Sequence, residues 1–414
     1  MAQDGKILIL KFHDKLLSLL LSNNQVLSVR VQHNQAITVG DIYIGKVQNI
    51  SRNINAAFVD LGGKYLTFLP MAEARSAYLA NRTPDGTIKP GDEILVQVIK
   101  EPMKTKLAGV TSKISLSGRY VVIGTQNASL KGHISPNKTG PEGKITAGNV
   151  QVSSKLNKKQ QNRFRNLGTL QKLSEQYQVI VRTNAGSLPE DTPLIRETEE
   201  LAGTLARILE IADKRTCYSC LYHHKPDYIS FIQNAYHTEY SEVVTDLPDV
   251  YETLQESFKD TAIQIRFYED NYLPLHKLYS VEIRIKELLD KKVWLKSGGY
   301  LVIEPTEALI SIDVNTGKCE TGKNTEETFM KINQEAAEMI ALQLRARNLS
   351  GMILVDFINL KQKEHEAQLL EYMRKLLKQD PVSASVVDMT GLGLMELTRK
   401  KIDPSFAEQM RKDV

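Results

Sequence analysis

Cysteine is scarce, with three in 414 residues. That scarcity excludes a disulfide-stapled scaffold and fits a reducing compartment. Long apolar runs are also missing. The longest patches, 7–10 and 16–21, fall well short of the ~18–20 apolar residues of a membrane helix. Met1-Ala2-Gln3-Asp4-Gly5 lacks the basic stretch of a signal peptide and carries an acid where transit peptides avoid one. These absences set the expectation of a soluble, intracellular chain with no membrane span. What is present is ordinary globular composition, 42% hydrophobic and 25% charged, which excludes disordered and collagen-like classes. The length suggests roughly two to four domains, and no internal repeat is visible.

The net charge of +4 hides an asymmetry. Between residues 143 and 174 there are seven bases (Lys144, Lys155, Lys158, Lys159, Arg163, Arg165, Lys172) and no acid; between 239 and 256 there are six acids and no base. The basic run is either a footprint for phosphates or a solvated charged loop. Its part near 139–161, rich in Gly, Ser, Asn, Gln and Lys, reads as an exposed insertion.

Residues 40–120 read as short strands punctuated by turns. Strands are expected at 41–50, 56–61, 65–69 and 93–100, with a last one near 113–116. Strands this short and closely spaced suggest a small closed barrel of OB type. Alternation turns one of Phe58 and Val59 outward, and Phe68 falls on the next strand. Two exposed aromatics there would stack bases, with Lys100, Lys104, Lys106 and Lys113 nearby for phosphates; the other reading is that both rings are core. The motifs Gly45-Lys46-Val47, Ala57-Phe58-Val59-Asp60-Leu61-Gly62, Phe68-Leu69-Pro70 and Gly91-Asp92-Glu93 resemble the S1 RNA-binding domain. That resemblance implies RNA contact through Phe58, Phe68 and Lys106.

The C-terminal third carries carboxylates. A strand at 300–304 is followed by a second at 309–312, which ends in Asp313-Val314-Asn315-Thr316-Gly317. Phe329, Ile332, Ala336, Ile340 and Leu344 repeat at helical spacing after a candidate N-cap at Asn324. The apolar run 352–355 then reads as a buried strand and ends in Asp356. In an open α/β sheet, ligands bind at that edge of the strands. If the two strands lie parallel, Asp313 and Asp356 converge and Asn315 projects to the same side. Two carboxylates and an amide oxygen form a hard donor set suited to Mg²⁺. The other reading is that each Asp caps the turn behind it.

The stretch 298–309 through 313–317, together with Asn333, Glu335-Ala336-Ala337, 342–349, 351–359 and 391–399, resembles the catalytic signature of the ribonuclease E/G family. The resemblance runs from about Lys6 to Pro404. It implies that Asp313 and Asp356, assisted by Asn315, hold a catalytic Mg²⁺ in a DNase I-like subdomain. It also bears on the segment 178–186, where Arg182 and Thr183 precede Gly186. An Arg beside a Thr can bind a terminal phosphate through a charged fork and a hydroxyl, or be ordinary surface. The resemblance makes Arg182 and Thr183 a 5′-monophosphate sensor. The upstream turn at 133–138 departs from the family pattern and is followed by the lysine-rich insertion.

Cys217, Cys220, His223 and His224 resemble a zinc half-site, but the family has no ligand there and no zinc site is assigned. No cysteine follows Cys319, so the Cys-based zinc link that joins protomers in many family members is not expected, nor is the long scaffold region of the larger ones. A homo-oligomer through another interface stays open.

The resulting expectation is a mixed α/β, multidomain chain. A split RNase H-like subdomain (1–36 and 225–288) carries an inserted S1 barrel (37–120). A 5′-sensor region (121–224), a DNase I-like catalytic subdomain (289–406) and a tail (407–414) complete it. Its function is expected to be Mg²⁺-dependent endoribonuclease cleavage of single-stranded, A/U-rich RNA in RNA processing and decay. The products carry 5′-phosphate ends, and a 5′-monophosphate stimulates cutting. The alternatives are a non-catalytic S1 RNA-binding protein and a DNA-acting nuclease. The expected compartment is the plastid stroma or a bacterial cytoplasm.

Overall fold

The computed structural model describes residues 5–32, 37–63, 65–74, 77–83, 85–102, 107–126, 150–259, 261, 263–317 and 325–411. The chain is mixed α+β. It divides into two compact units, Met1–His33 with Asp227–Val414, and Asn34–Pro226. No helix among the described residues is long and apolar enough to cross a membrane.

The first unit opens with β1 (Lys6–Phe12), β2 (Lys15–Ser22) and β3 (Gln25–Gln32), an antiparallel meander. Asn23 and Asn24 turn the second hairpin with positive φ, which Asn tolerates better than most side chains.

The second unit begins with β4 (Ile42–Ser51), β5 (Ala56–Asp60), β6 (Leu66–Pro70), β7 (Glu93–Lys100) and β8 (Ala108–Thr111). They pair in the order β4-β5-β6-β8-β7 and close through β4–β7, giving a five-stranded barrel. Val47, Val59, Leu69, Val96, Val98 and Val110 fill it. The fifth strand is not the expected 113–116 but β8. Next come β9 (Ser115–Ser117), β10 (Val121–Thr125), β11 (Gln151–Val152) and β12 (Tyr177–Val181), which form a separate sheet in the order β11-β12-β10-β9. The apolar alternation of Ile114 and Leu116 is real, but it serves the core of this second sheet. The barrel strand is four residues long and includes Gly109, too little pattern to be read locally. The helix Thr192–Ala212 lays its buried residues on the second sheet. β13 (Cys220–Tyr222) then returns to pair with β4.

Back in the first unit, β14 (Glu242–Thr245) and β15 (Gln264–Phe267) extend the meander as parallel strands, in the order β15-β14-β1-β2-β3. The remaining strands are β16 (Lys292–Trp294), β17 (Tyr300–Pro305), β18 (Leu309–Asn315), β19 (Gly351–Asp356), β20 (Ala384–Met389) and β21 (Leu394–Arg399). They form a six-stranded sheet, β16-β17-β18-β19-β21-β20. β18 and β19 are parallel and joined through the helix Thr325–Ala346; the other pairs are antiparallel. Ile303, Ile312, Val355 and Leu397 pack with Ile340, Leu344, Leu369 and Met373 of the helices Thr325–Ala346 and Lys363–Leu377. Both helices thus cover one face. The arrangement is a two-layer one, and the opposite face carries exposed residues such as Met352.

Candidate functional site

Asp313 stands opposite Asp356 in register on the parallel strands β18 and β19. Neighbouring strands lie ~4.8 Å apart, so the two carboxylates share one patch of surface. Ile310, Ile312, Val314, Ile353 and Val355 point into the core. By strand alternation Asp313, Asn315 and Asp356 therefore occupy the open face, and both aspartates are exposed. Nδ2 of Asn315 donates a 2.7 Å hydrogen bond to Oδ2 of Asp313. That bond holds one carboxylate oxygen and turns Asp313 toward a defined direction.

The backbone around the pair is tightly arranged. A Cβ on Gly299 would come within 2.8 Å of the Asn315 carbonyl oxygen, and one on Gly317, at φ +57°, within 2.3 Å of the Gly298 carbonyl. These contacts explain the glycines in the Gly298-Gly299 and Asn315-Thr316-Gly317 motifs: only glycine lets the two turns approach so closely. Glu335 accepts from the amides of Lys296 and Ser297 and holds the first turn. Beyond β19, Asn333 bonds Ile358 in both directions, and Glu326 accepts from the amides of Lys361 and Gln362. Burial pushes the Glu326 carboxyl up, but these amides and His365 outweigh it and hold it below the ordinary range.

Asp313, Asp356 and the amide oxygen of Asn315 fit a hard divalent cation. Mg²⁺ needs few protein ligands because it keeps its waters. Among the described residues no group of three or more His, Cys, Asp or Glu could hold a metal; Asp313 and Asp356 would leave most of a cation's shell to water. Asn333, Glu335 and Glu326 fix the backbone around this set. Asn333 and Glu335 belong to the signature motif, and Asn333 also stands out as a polar residue within the buried stripe of Ile332, Ala336, Ala337 and Ile340, whereas Glu326 carries no signal in the sequence.

On the barrel, Phe58 and Phe68 are direct cross-strand partners. Their rings are 6.5 Å apart at 79°, and both are half-buried while Val59 and Leu69 fill the interior. The rings therefore lie on the outer surface of the barrel wall. The same row continues through Gly109 to exposed Lys100. The expected third contact, Lys106, lies outside the described residues, as do Lys104, Asn324 and the turn at 133–138.

In the second sheet, Arg182 follows β12 and Thr183 opens the 3₁₀ helix Thr183–Ser187. Arg182 donates from its guanidinium to the Gly118 carbonyl. Thr183 Oγ1 is 2.9 Å from Ser153 Oγ. The pairing of β11 with β12 puts Ser153 there, beside the Arg–Thr pair. From residue 150 on, the expected exposed insertion at 139–161 is instead folded, with Val150 and Leu156 buried in the core of this sheet. Glu197 supports the same corner by accepting from the amides of Arg119, Tyr120 and Val121 at 2.7, 2.7 and 3.1 Å. Burial nevertheless pushes its carboxyl up. Cys217 and Cys220 turn their thiols to the carbonyls of Ile44 and Tyr222, and burial raises both thiols.

Comparison with known proteins gives a consistent picture. The Ribonuclease E/G family matches residues 144–402 and the S1 RNA binding domain matches residues 36–110. The chain is similar to Ribonuclease E of Synechocystis sp., 33% identical over 377 residues that cover 88% of this chain and 52% of that protein. It is 32% identical to Ribonuclease E of Nostoc sp. over 393 residues, 91% of this chain and 53% of that protein. It is 29% identical to Ribonuclease G of Escherichia coli over 381 residues, 89% of this chain and 74% of that protein. The chain thus spans about half the length of the cyanobacterial relatives it matches.

Proposed function

Because the chain belongs to the ribonuclease E/G family, we propose that it is a Mg²⁺-dependent endoribonuclease. Its substrate is single-stranded, A/U-rich RNA in processing and decay, its products carry 5′-phosphate ends, and a 5′-monophosphate on the substrate stimulates it. The observation that carries this reading is the in-register pair Asp313 and Asp356 on an open sheet face, with Asn315 bonded to Asp313.

Asp313 and Asp356 would hold the cation, with the Asn315 oxygen beside them. Bound there, Mg²⁺ supplies charge neutralisation at a phosphodiester and a lowered pKa of water. Asn315 keeps Asp313 oriented through its amide. Phe58 and Phe68 offer two ring faces to unpaired bases; A/U-rich RNA suits them because it pairs weakly and leaves its bases free to splay out and stack. Arg182 and Thr183 receive a terminal phosphate by charge and hydroxyl, with Ser153 adjacent. The strand order β15-β14-β1-β2-β3, with β14 parallel to both β1 and β15 and the other pairs antiparallel, favours the RNase H-like reading of the N-terminal sheet. The cyanobacterial relatives favour a compartment of bacterial descent, the plastid stroma or a bacterial cytoplasm.

The test is cleavage of a 5′-monophosphorylated, A/U-rich single-stranded RNA, with a DNA strand of the same sequence in parallel. Cutting of RNA that is lost on chelation and in Asp356→Asn supports the proposal. RNA binding without cutting by the wild type overturns it in favour of a non-catalytic RNA-binding protein.

A further inference from the structure

The sheet that carries Asp313 continues on the same face into a cluster the catalytic reading does not use. Pairing across β18, β17 and β16 places Asp313 beside Val302 and Val302 beside Lys292. The next row runs from Asn315 through Tyr300 to Trp294. Side chains paired across strands share a face, so Lys292, Trp294 and Tyr300 stand on the open face with the aspartates. One strand spacing, about 5 Å, separates Tyr300 from β18, and two, about 10 Å, separate Lys292 and Trp294 from it.

The cluster is an aromatic corner with a cation on it. The rings of Trp294 and Tyr300 meet edge to face, with centroids 5.4 Å apart at 62°. The Lys292 ammonium lies 3.6 Å from the Tyr300 centroid and 4.1 Å from that of Trp294. Its neighbour Lys291 is neutralised by Glu304 at 2.9 Å. Lys292 has no carboxylate within ion-pair distance among the described residues, so its charge is met only by the two ring faces it lies against. The indole remains 62% exposed although both neighbours pack on it. Val293 and Leu295, on either side of it, supply the contacts to the core. Packing therefore gives no reason for an indole at position 294; a small polar residue would satisfy the strand. An exposed aromatic with a cation, continuous with a site for phosphodiester chemistry, matches what an unpaired nucleotide needs: a ring face for the base and a positive charge for its phosphate.

We propose that Trp294, Tyr300 and Lys292 form a base-stacking subsite for the nucleotide of single-stranded RNA next to the one that is cut. The proposal rests on the ribonuclease reading of Asp313 and Asp356 and adds to it a place where the substrate is gripped beside them. It assigns Trp294 a share of affinity and of cleavage-site choice.

Trp294 is the one tryptophan of the chain, so its emission reports this subsite alone. In the full-length Asp356→Asn chain, a labelled A/U-rich single-stranded RNA is titrated. Anisotropy of the label gives binding, and indole emission is read in a matched titration with unlabelled RNA. The expected result is saturable quenching that tracks binding for the single strand and is absent for its duplex. Trp294→Ala is expected to weaken binding roughly tenfold, in the range of one base-on-ring stack, and Trp294→Phe to recover most of it. Circular dichroism checks that both variants fold. RNA that binds with unchanged emission, or binds Trp294→Ala as tightly as the parent, overturns the proposal. Wild-type cleavage is read separately: cutting without quenching sinks the subsite alone, whereas quenching without cutting sinks the nuclease reading and leaves Trp294 as a stacking contact for single-stranded RNA with no cut beside it.

Discussion

Asn333 and Ile358 form a reciprocal pair. The Asn333 amide donates to the Ile358 carbonyl at 2.7 Å, and its oxygen accepts from the Ile358 N–H at 3.0 Å. Asn333 is fully buried, and Ile358 stands two residues past Asp356. The clasp therefore ties the helix behind the sheet to the chain just after a candidate metal ligand. Asn333→Leu keeps the volume and leaves two partly buried backbone groups of Ile358 without this partner, at a cost of up to about 1–3 kcal/mol each. Activity is expected to fall about 10–100-fold, as for other residues that orient a ligand, with the Mg²⁺ midpoint raised and the KM for RNA little changed. A Mg²⁺ titration of initial rates checks this.

The aspartates themselves should behave differently from that support. Asp313→Asn and Asp356→Asn each keep the shape and remove a charge from an exposed pair. Cleavage is expected to drop to background in each, with RNA affinity retained. Asn315→Ala, which frees Asp313 to rotate, is expected to lose less. Steady-state kinetics beside an anisotropy titration separates the two effects.

Phe58→Ala or Phe68→Ala removes a half-buried ring from the barrel wall. A base stack contributes about 1–3 kcal/mol. Each change is thus expected to raise the KM for single-stranded RNA roughly 5–100-fold, with kcat less affected. If the rings were only core, the substitutions would lower the melting temperature and leave RNA affinity in the folded fraction unchanged.

The 5′ end of the RNA offers another test. Thr183→Val removes the hydroxyl that faces Ser153. The preference for a 5′-monophosphorylated over a 5′-hydroxyl substrate is expected to shrink, with cleavage of the hydroxylated RNA unchanged. Loss of both rates together would indicate a packing role instead.

Acid should weaken the first unit through Glu242. Burial pushes its carboxyl up, but bonds from Arg266 at 2.9 Å and Lys6 at 2.6 Å outweigh it and hold it below the ordinary range. A carboxylate depressed in the folded state contributes stability above its unfolded pKa, about 4.3. That contribution is lost as pH falls through the lower folded value. Denaturant unfolding is expected to separate wild type from Glu242→Gln at pH 7, with the difference shrinking below about pH 4.

The local elements and the chemistry they carry are legible in the chain without its fold. Two apolar strands each ending in Asp, a helical stripe between them, and the aromatics of the barrel follow from periodicity, because alternation and helical spacing are local properties. Family motifs named the same residues. Tertiary structure decided what long-range pairing controls. It set Asp313 against Asp356, because register is fixed by which core residues interlock across strands. It gave the barrel the short β8 and assigned Ile114 and Leu116 to a different sheet. It put both helices on one face, which left the aspartates on an open surface rather than in a crevice. It also brought Asn333 to Ile358, Ser153 to Thr183, and Lys292 and Trp294 onto the aspartates' face. None of those partners is a neighbour in sequence, and their meeting depends on folds of the chain that no local pattern encodes.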